Sequence, residues 1–465
     1  MLMPVEIGQL TCLQTLPLFS VGREMGNQIE ELGCLSQLRG ELKISNLEYV
    51  RDKDEARGAK LQEKTKIYKL EFVWQSHREG LNNDEDVLEG LQPHLNLKSL
   101  TITGYAGDNF PSWISTKAQI VGDSLLLNNL VNLNLINCRK CQNIPTIGQL
   151  RNLKVLTIDG LENVKCIGIE FYLNDSMCGG QEALSLFPAL RKFTLKEMSN
   201  LEEWVKEVEA AMIGRAQVLV FPCLEELIIW RCPKLKSVPI MSGYSCLQKL
   251  DIRWCEQLSF IGDGLSASTC LKELSIWECS SLMSIPEDLG KLHSLRSLGI
   301  TFCGKLTSIP ASLCHLTQLK VLRIGGFLEK LEEFPGFGSI QSLNLSLEDL
   351  RLYGWEKLKA LPYQLQYLTS LTSLDIRDFN EVEAMPMWLG NLSSLRELEF
   401  RRCKNLMHVP PLETMQHLTK LQTLRLYDCP KLKERCAEDS RHEWSKISHI
   451  PNIIIDDALV QSRED

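Results

Sequence analysis

The chain has 465 residues, of which 44% are hydrophobic and 24% are charged, and its formal net charge is −8. This much apolar material excludes a wholly disordered chain, and the mildly acidic balance disfavours non-specific binding of nucleic acids, which needs clustered lysine and arginine. No stretch approaches the roughly 18 consecutive apolar residues of a membrane span. The N-terminus lacks the basic and apolar regions of a secretory signal. We therefore expect a soluble, cytoplasmic chain.

The dominant feature is a repeat with the template L-x-x-L-x-L-x-x-C, in which L stands for an aliphatic residue. Weaker units occupy residues 1–220, and they begin at Leu13, Arg39, Ile67, Leu97, Leu130, Leu153 and Leu190. Regular units occupy residues 221–430, and they begin at Leu224, Leu247, Leu271, Leu295, Leu319, Leu347, Leu371, Leu395 and Leu421. A last unit begins at Ile450, inside a closing segment formed by residues 431–465. This period is typical of leucine-rich repeats.

The repeat predicts an α/β fold in which residues 1–465 form a single leucine-rich-repeat solenoid. Each unit contributes one short strand, and because no unit can bury its apolar face alone, stacked units share one core and a parallel sheet. We expect a curved horseshoe with the sheet on its concave face and an irregular or short-helical outer arc. Pro286, Pro310, Pro362 and Pro386 recur at one phase, and proline suits this outer arc because it lacks an amide donor.

Three segments of the irregular part are predicted to depart from the repeat. Residues 51–66 are charged and rich in helix formers, which predicts a helix on the outer arc. Residues 172–186 are polar and contain two adjacent glycines, which predicts a loop. Residues 200–215 are predicted to form an amphipathic helix with Leu201, Trp204 and Val208 on one side.

The cysteines follow the repeat rather than any disulfide or metal pattern. Their number, 17, is odd, and without an export signal we expect reduced thiols. Cys138 and Cys141 form the one C-x-x-C pair in the sequence, whereas a zinc site would need a second pair. We expect the ninth-position thiols to be small buried hydrophobes that donate weakly to backbone carbonyls. These seven residues are Cys138, Cys232, Cys255, Cys279, Cys303, Cys403 and Cys429.

Catalytic and cofactor motifs are missing from the sequence. It contains no G-x-x-x-x-G-K-[ST], G-x-G-x-x-G, H-E-x-x-H or G-x-S-x-G. Nothing brings together a nucleophile, a base and an orienting group. We therefore expect a chain that is not an enzyme and that holds no catalytic residue, metal or cofactor.

The residues between the leucines carry the functional signal. Alternation along a strand points the fifth and seventh template positions away from the core, and tryptophan, tyrosine and arginine, which dominate binding hot spots, are frequent there. We expect Trp230, Arg253 and Trp277 to stack as a cation–π sandwich, with a shallow depression at Gly299 and Gly325 beside them. The candidate partner-binding residues are Trp230, Arg253, Trp254, Trp277, Phe302, Arg323, Arg351, Tyr353, Arg377, Arg401 and Tyr427.

A broad concave sheet favours a protein or peptide as the partner. The alternative interpretation is that the aromatic side chains only shield the sheet, with Trp254 and Phe302 turned against its rim. Exposed aromatic residues on a solvated sheet favour the first interpretation.

Four stretches resemble a known family. VLEGLQPHLNLKSLTITGYAGDNFPSWI at 87–114, residues 147–172, residues 187–204 and the closing residues 434–456 resemble the plant intracellular nucleotide-binding leucine-rich-repeat disease-resistance proteins of the coiled-coil class. The resemblance implies recognition of a pathogen effector or a guarded host protein, and an autoinhibitory contact with a nucleotide-binding switch domain. The coiled-coil and nucleotide-binding domains have no counterpart in these residues, so ADP or ATP is implied only for a full-length relative.

Other interpretations remain open at this point. A substrate adaptor of a ubiquitin ligase would need a helical cullin-adaptor box, which the first 60 residues do not show. A truncated decoy or regulator of a full-length receptor is also compatible with the repeats. An extracellular receptor ectodomain would favour glycine before the Ile-Pro pair and asparagine at the ninth position, whereas Ser284 and cysteine stand at these places here.

Overall fold

The computed structural model describes residues 4–23, 26–75, 83–115, 120–121, 124–125, 127–173, 184–205, 218–239, 244–262, 264–436 and 442–462. The chain divides into two compact units, Met1–Leu247 and Gln248–Asp465. In each unit the successive repeats contribute one strand apiece to a parallel sheet and return through turns or short helices. The predicted α/β leucine-rich-repeat solenoid is confirmed as the fold.

The sheet of the first unit is formed by strands that pair in parallel and in chain order. Most have five residues, because only the middle of each repeat lies in the ladder. They are β1 (Leu18–Ser20), β2 (Arg39–Ser45), β3 (Lys66–Val73), β4 (Ser99–Thr103), β5 (Asn132–Ile136), β6 (Val155–Asp159), β7 (Lys192–Lys196) and β8 (Glu226–Trp230).

The second unit continues the same pattern with in-register parallel pairs, and its final strand pairs antiparallel. Its strands are β9 (Lys249–Arg253), β10 (Glu273–Trp277), β11 (Ser297–Thr301), β12 (Val321–Gly325), β13 (Asp349–Tyr353), β14 (Ser373–Arg377), β15 (Glu397–Arg401), β16 (Thr423–Tyr427), β17 (Asn452–Ile455) and β18 (Ala458–Ser462).

The fourth and sixth template positions form the core. In β10, Leu274 and Ile276 are buried, while Ser275 and Trp277 between and beside them are half-buried. Leu274 pairs with Leu298 of the next strand, so equal template positions stack along the sheet. Each fully buried leucine or isoleucine stabilises the fold by about 1.5–3 kcal/mol relative to an exposed one.

The predicted start of the first repeat, Leu13, is wrong by one residue. Phe19 pairs with Ile44 and is fully buried, whereas Leu18 pairs with Lys43 and is partly exposed. A slip of one residue exchanges the two faces of a strand. The buried aromatic side chain of Phe19, rather than the preceding leucines, therefore sets the register of β1.

Short helices and two- or three-residue strands form the return segments. Pro286, Pro310, Pro362 and Pro386 each immediately precede a 3-10 helix, which agrees with their predicted place outside the sheet. The α-helices are α1 (Glu31–Cys34), α2 (Lys53–Arg57), α3 (Asp84–Gly90), α4 (Ile169–Tyr172), α5 (Leu412–Gln416), α6 (Pro430–Cys436) and α7 (Trp444–Ile447). The 3-10 helices are Ile7–Gln9, Leu47–Tyr49, Leu61–Glu63, Tyr244–Cys246, Leu265–Ala267, Glu287–Lys291, Ala311–His315, Phe337–Leu343, Tyr363–Tyr367 and Met387–Asn391. The short strands are Ile120–Val121, Ser124–Leu125, Cys166–Ile167, Leu184–Leu186, Glu203–Trp204, Val218–Val220, Ser237–Val238 and Phe260–Ile261.

The helix predicted over residues 51–66 is present as two short pieces, α2 and Leu61–Glu63. Asp52 caps α2, because its carboxylate accepts hydrogen bonds from the amides of Asp54 and Glu55. The loop predicted over residues 172–186 has its central part, 174–183, outside the described residues.

The helix predicted over residues 200–215 is wrong where the structure describes it. Glu203–Trp204 forms a strand that pairs with Cys166–Ile167, and Val208 lies outside the described residues. Trp204 is fixed there because its indole Nε1 donates to the hydroxyl of Tyr172 at 2.6 Å and its ring lies 5.7 Å from that of Phe193. Helical periodicity in the sequence did not reveal this anchor.

Candidate protein-interaction face

The fifth and seventh template positions of β9–β16 form one side of the second unit's sheet, which we call the variable face. Along its seventh-position column, Arg253 pairs with Trp277 and Tyr353 pairs with Arg377. These side chains are half-buried. The predicted column is therefore present in the second unit, and its members stand at the spacing of neighbouring strands, about 4.8 Å.

The residue after each strand, at the eighth template position, adopts the left-handed backbone conformation in most repeats of this unit. Trp254 has a φ of 54° and Phe302 a φ of 57°. The amide of Trp254 donates to the carbonyl of Trp277 at 2.9 Å, and the amide of Phe302 donates to the carbonyl of Gly325 at 2.9 Å. Glu278, Asp378 and Arg402 have the same conformation at the same template position, so the turn belongs to the repeat, although bulky side chains rarely occupy this region of backbone space.

Four aromatic side chains form a continuous row. Ring centroids are 5.0 Å apart between Trp254 and Trp277, 6.5 Å between Trp277 and Phe302, and 4.8 Å between Phe302 and Tyr353. The eighth-position rings therefore join the seventh-position rings instead of standing apart at the rim. The sequence analysis did not predict this row. The signal for it was an aromatic residue at the eighth template position of two alternate repeats, Trp254 and Phe302.

The predicted cation–π sandwich is present in part. The guanidinium carbon of Arg253 lies 5.6 Å from the centroid of the Trp277 ring. Trp230 ends β8 and belongs to the first unit, where it is half-buried. Within the second unit, Arg253 and Trp277 thus form the cation–π pair, and Trp254 supplies the aromatic neighbour of Trp277.

Most of the candidate arginines are tied to acidic residues of the fifth column. Asp375 is almost completely buried between Arg351, at 2.6 Å, and Arg377, at 2.6 Å. Glu399 continues the chain of ion pairs, at 3.5 Å from Arg377 and 2.8 Å from Arg401. Alternating charges in a half-buried row hold the planar guanidinium groups in fixed orientations.

The aromatic side chains of the same region lie against these arginines. Arg377 lies 5.9 Å from the centroid of the Tyr353 ring, and Arg401 lies 4.2 Å from that of Tyr427. The candidate residues Arg351, Tyr353, Arg377, Arg401 and Tyr427 are thus brought together in one network, which the separate columns of the sequence did not reveal.

A cavity of about 310 Å³ opens on the variable face beside Trp277. Trp277, Tyr353, Arg323 and Arg351 stand around it, and Gly299 lies on its floor. A Cβ atom at Gly299 would approach Ser275 Oγ no closer than 3.6 Å, so the glycine leaves real space at this point. The depression predicted at Gly299 is present.

The second glycine predicted to form the depression, Gly325, is in a different place. It is buried, has a φ of +127°, and a Cβ atom there would lie 2.0 Å from the carbonyl oxygen of Tyr353. Gly325 does not line the cavity, and that part of the prediction is wrong. Its missing side chain lets the backbones of β12 and β13 approach each other.

The ninth-position cysteines are all buried. The thiol of Cys303 lies 3.7 Å from the carbonyl oxygen of Thr301, and Cys429 lies 3.4 Å from that of Tyr427, as weak donors do. Phe327, Trp355 and Phe379 fill the same position in three repeats and are buried as well. These positions close the core at the end of each strand and contribute nothing to the variable face.

The described residues form neither a cluster of metal ligands nor a membrane-spanning helix. No three histidine, cysteine or acidic side chains among them are grouped as metal ligands would be. No described helix has both the length and the apolar character that crossing a bilayer requires.

Part of the chain matches a known family of leucine-rich repeats. Residues 29–161 and 363–429 match the family model described as R13L1/DRL21 leucine-rich repeats. The solved structure of a TLR13–ssRNA13 complex is similar with a TM-score of 0.52 and 18% identity, over 97% of this chain and 65% of that one, which shows the shared fold alone.

Curated relatives are plant proteins. The putative disease resistance protein RGA1 of Solanum bulbocastanum is 32% identical over 249 residues, which are 53% of this chain and 22% of the relative. Disease resistance protein RGA2 of the same species is 35% identical over 234 residues, 49% of this chain and 22% of the relative. The putative disease resistance RPP13-like protein 1 of Arabidopsis thaliana is 31% identical over 256 residues, 53% of this chain and 23% of the relative. The chain thus spans about a fifth of the length of these relatives. The resemblance inferred from the sequence is confirmed: over about half of this chain, the repeats are similar to those of plant disease-resistance proteins.

Proposed function

We propose that this chain is a non-catalytic protein-recognition module of plant innate immunity. It binds a pathogen effector or a guarded host protein in the cytoplasm, through side-chain contacts that need no cofactor. In a full-length receptor, the same repeats would also make the autoinhibitory contact with the nucleotide-binding switch domain.

The row formed by Trp254, Trp277, Phe302 and Tyr353 carries the proposal. Half-buried aromatic rings beside oriented arginines are the composition of a binding hot spot, and aromatic side chains bring large contact area at low entropic cost. Trp254 and Phe302 reach this row through the left-handed turn that follows most strands of this unit, so the turn of the repeat directs their rings onto the variable face.

The experiment compares two variants of the full chain in cross-linking capture from plant leaf extract, with bound proteins identified by mass spectrometry. The test variant carries Trp277→Ala and Tyr353→Ala, which interrupt the aromatic row at two points. The control carries Tyr363→Ala, because Tyr363 is 60% exposed and begins a 3-10 helix outside the sheet.

We expect proteins that bind the wild type and the Tyr363→Ala chain to be lost from the double variant. Circular dichroism and thermal unfolding establish that the double variant is folded. Capture of the same proteins by a folded double variant would show that the variable face is not the binding surface.

A further inference from the structure

The residues that line the cavity on the variable face carry more positive than negative charge. Four cationic and two acidic side chains line it, an excess of two positive charges in a chain whose net charge is −8. The two acidic residues are already engaged, because Asp251 accepts from Arg253 at 2.7 Å and Glu273 lies 3.2 Å from Lys249. Arg323 and Arg351 therefore supply the excess.

Arg323 and Arg351 stand directly opposite each other on β12 and β13. Like charges in directly opposed positions destabilise a sheet. Arg351 has Asp375 on its other side, at 2.6 Å. Within the described ranges, no carboxylate lies within the 4.0 Å ion-pair distance of Arg323.

Asp349 is the acidic residue whose charge still acts on both arginines. Burial raises the pKa of its carboxyl, and the charges of Arg323 and Arg351 oppose that rise. It makes no ion pair with either arginine. Asp349 therefore attracts both guanidinium groups but does not pair directly with either.

We propose that this cavity receives the side-chain carboxylate of an aspartate or glutamate in the bound segment of a partner protein. The proposal rests on the proposed recognition function and names the chemistry that its partner must present. A carboxylate between the two guanidinium groups neutralises their repulsion and accepts charge-assisted hydrogen bonds from both.

The shape of the cavity agrees with this occupant. Gly299 pairs with Arg323 on one side and Ser275 on the other, so small residues leave room beside the Arg323 guanidinium. Trp277 and Tyr353 stand at the edge of the same cavity. Their rings can pack against the residues that flank the acidic side chain, which places the carboxylate at the centre of a desolvated contact.

The test selects peptides from a random display library on the immobilised full chain and measures their affinity by fluorescence anisotropy. We expect aspartate or glutamate to be enriched at one position of the selected peptides. Arg323→Gln should weaken their binding about tenfold or more, and so should replacing the peptide's acidic residue with its amide. The matched control is Arg425→Gln, because Arg425 lies on the same face and is paired with Glu397 at 2.7 Å, outside the cavity.

The peptides carry an amidated C-terminus, so that an end carboxylate cannot replace the acidic side chain. If the selected peptides bind only when they are made with a free C-terminus, the proposal is overturned. Unchanged binding to the Arg323→Gln chain would overturn it as well. If the double variant Trp277→Ala and Tyr353→Ala abolishes binding while Arg323→Gln does not, the recognition function is supported and the preference for an acidic side chain is contradicted. If neither variant affects binding, both fall.

A measurement without any ligand adds a second readout. Because Arg323 is opposed by Arg351 and makes no ion pair among the described residues, Arg323→Gln should leave the thermal midpoint unchanged or raise it. A lower midpoint would show that Arg323 stabilises the fold, which contradicts an arginine held ready for a partner.

Discussion

The indole rings of Trp254 and Trp277 lie 5.0 Å apart although the two residues occupy different template positions of adjacent repeats. Trp277 is the last residue of β10, whereas Trp254 follows β9 with a φ of 54°. The amide of Trp254 still donates to the carbonyl of Trp277 at 2.9 Å. The left-handed turn thus extends the ladder by one hydrogen bond while it directs a second aromatic ring onto the variable face.

The backbone conformation of Trp254 predicts an unusual order of stability among its variants. Glycine adopts the left-handed conformation without strain, while a β-branched residue is strained there. We expect Trp254→Gly to be more stable than Trp254→Val by about 1–2 kcal/mol in urea unfolding. Both variants lose the same stacking on Trp277, so the comparison isolates the backbone, and a more stable valine variant would contradict it.

Gly325 should be among the least replaceable residues of the second unit. Its φ is +127°, and an added Cβ atom would lie 2.0 Å from the carbonyl oxygen of Tyr353. Gly325→Ala should lower the free energy of unfolding by about 2–4 kcal/mol. Gly304→Ala is the matched control, since no atom lies within 4 Å of a Cβ atom there, and its effect should stay within about 0.5 kcal/mol. Equal effects of the two substitutions would contradict this account.

The inward-facing residues could be predicted because one period fixes them. Leu274 and Ile276 follow from the template, and the same reasoning places the strands of both units. It failed at β1, where Phe19 is the buried residue, because a single bulky side chain outweighs two leucines in choosing the register. It also failed at Trp204, whose hydrogen bond to Tyr172 spans 32 residues and has no local pattern.

The sequence predicts the variable face only as columns of equal template positions in neighbouring strands, not as contacts between particular side chains. The template places Asp375 and Arg377 on one side of the sheet, but it does not say that Asp375 bridges Arg377 and Arg351. Such pairing depends on the rotamers of long side chains in neighbouring strands. The aromatic row likewise depends on the left-handed turn at Trp254 and Phe302, a conformation that bulky residues disfavour although it recurs at this template position in most repeats.

The position of each cysteine in the repeat predicts its reactivity. Burial raises the pKa of the Cys303 thiol to about 12. Cys270, which precedes the first leucine of a repeat, is exposed. In iodoacetamide labelling of the native chain near pH 8, Cys303 should react much more slowly than Cys270, because Cys303 is buried and only the thiolate is nucleophilic. Peptide mapping by mass spectrometry measures both rates, and in urea the two should converge. Rapid native labelling of Cys303 would show that the repeat opens at this point.

The closing segment should make the stability of the second unit depend on acidic pH through Glu443. This side chain is 1% exposed. Burial opposes its ionisation, but the Val409 amide at 2.8 Å, the Lys446 ammonium at 3.0 Å and His408 at 3.2 Å outweigh burial and lower the pKa to about 2. The pKa of this carboxyl is lower in the folded chain than in the unfolded chain, so its ionised form stabilises the fold at pH values above the unfolded-state pKa. This contribution is lost as the pH falls towards and through the folded-state pKa.

Glu443→Gln isolates this contribution, because every other carboxyl titrates equally in both chains. Between pH 6 and pH 3, the wild type should lose more of its free energy of unfolding than the glutamine variant, by up to about 2 kcal/mol. Most of the difference should appear below the ordinary glutamate pKa, about 4.5. Urea unfolding monitored by circular dichroism across this range measures the effect, and parallel curves for the two chains would show that Glu443 does not hold the closing segment through its charge.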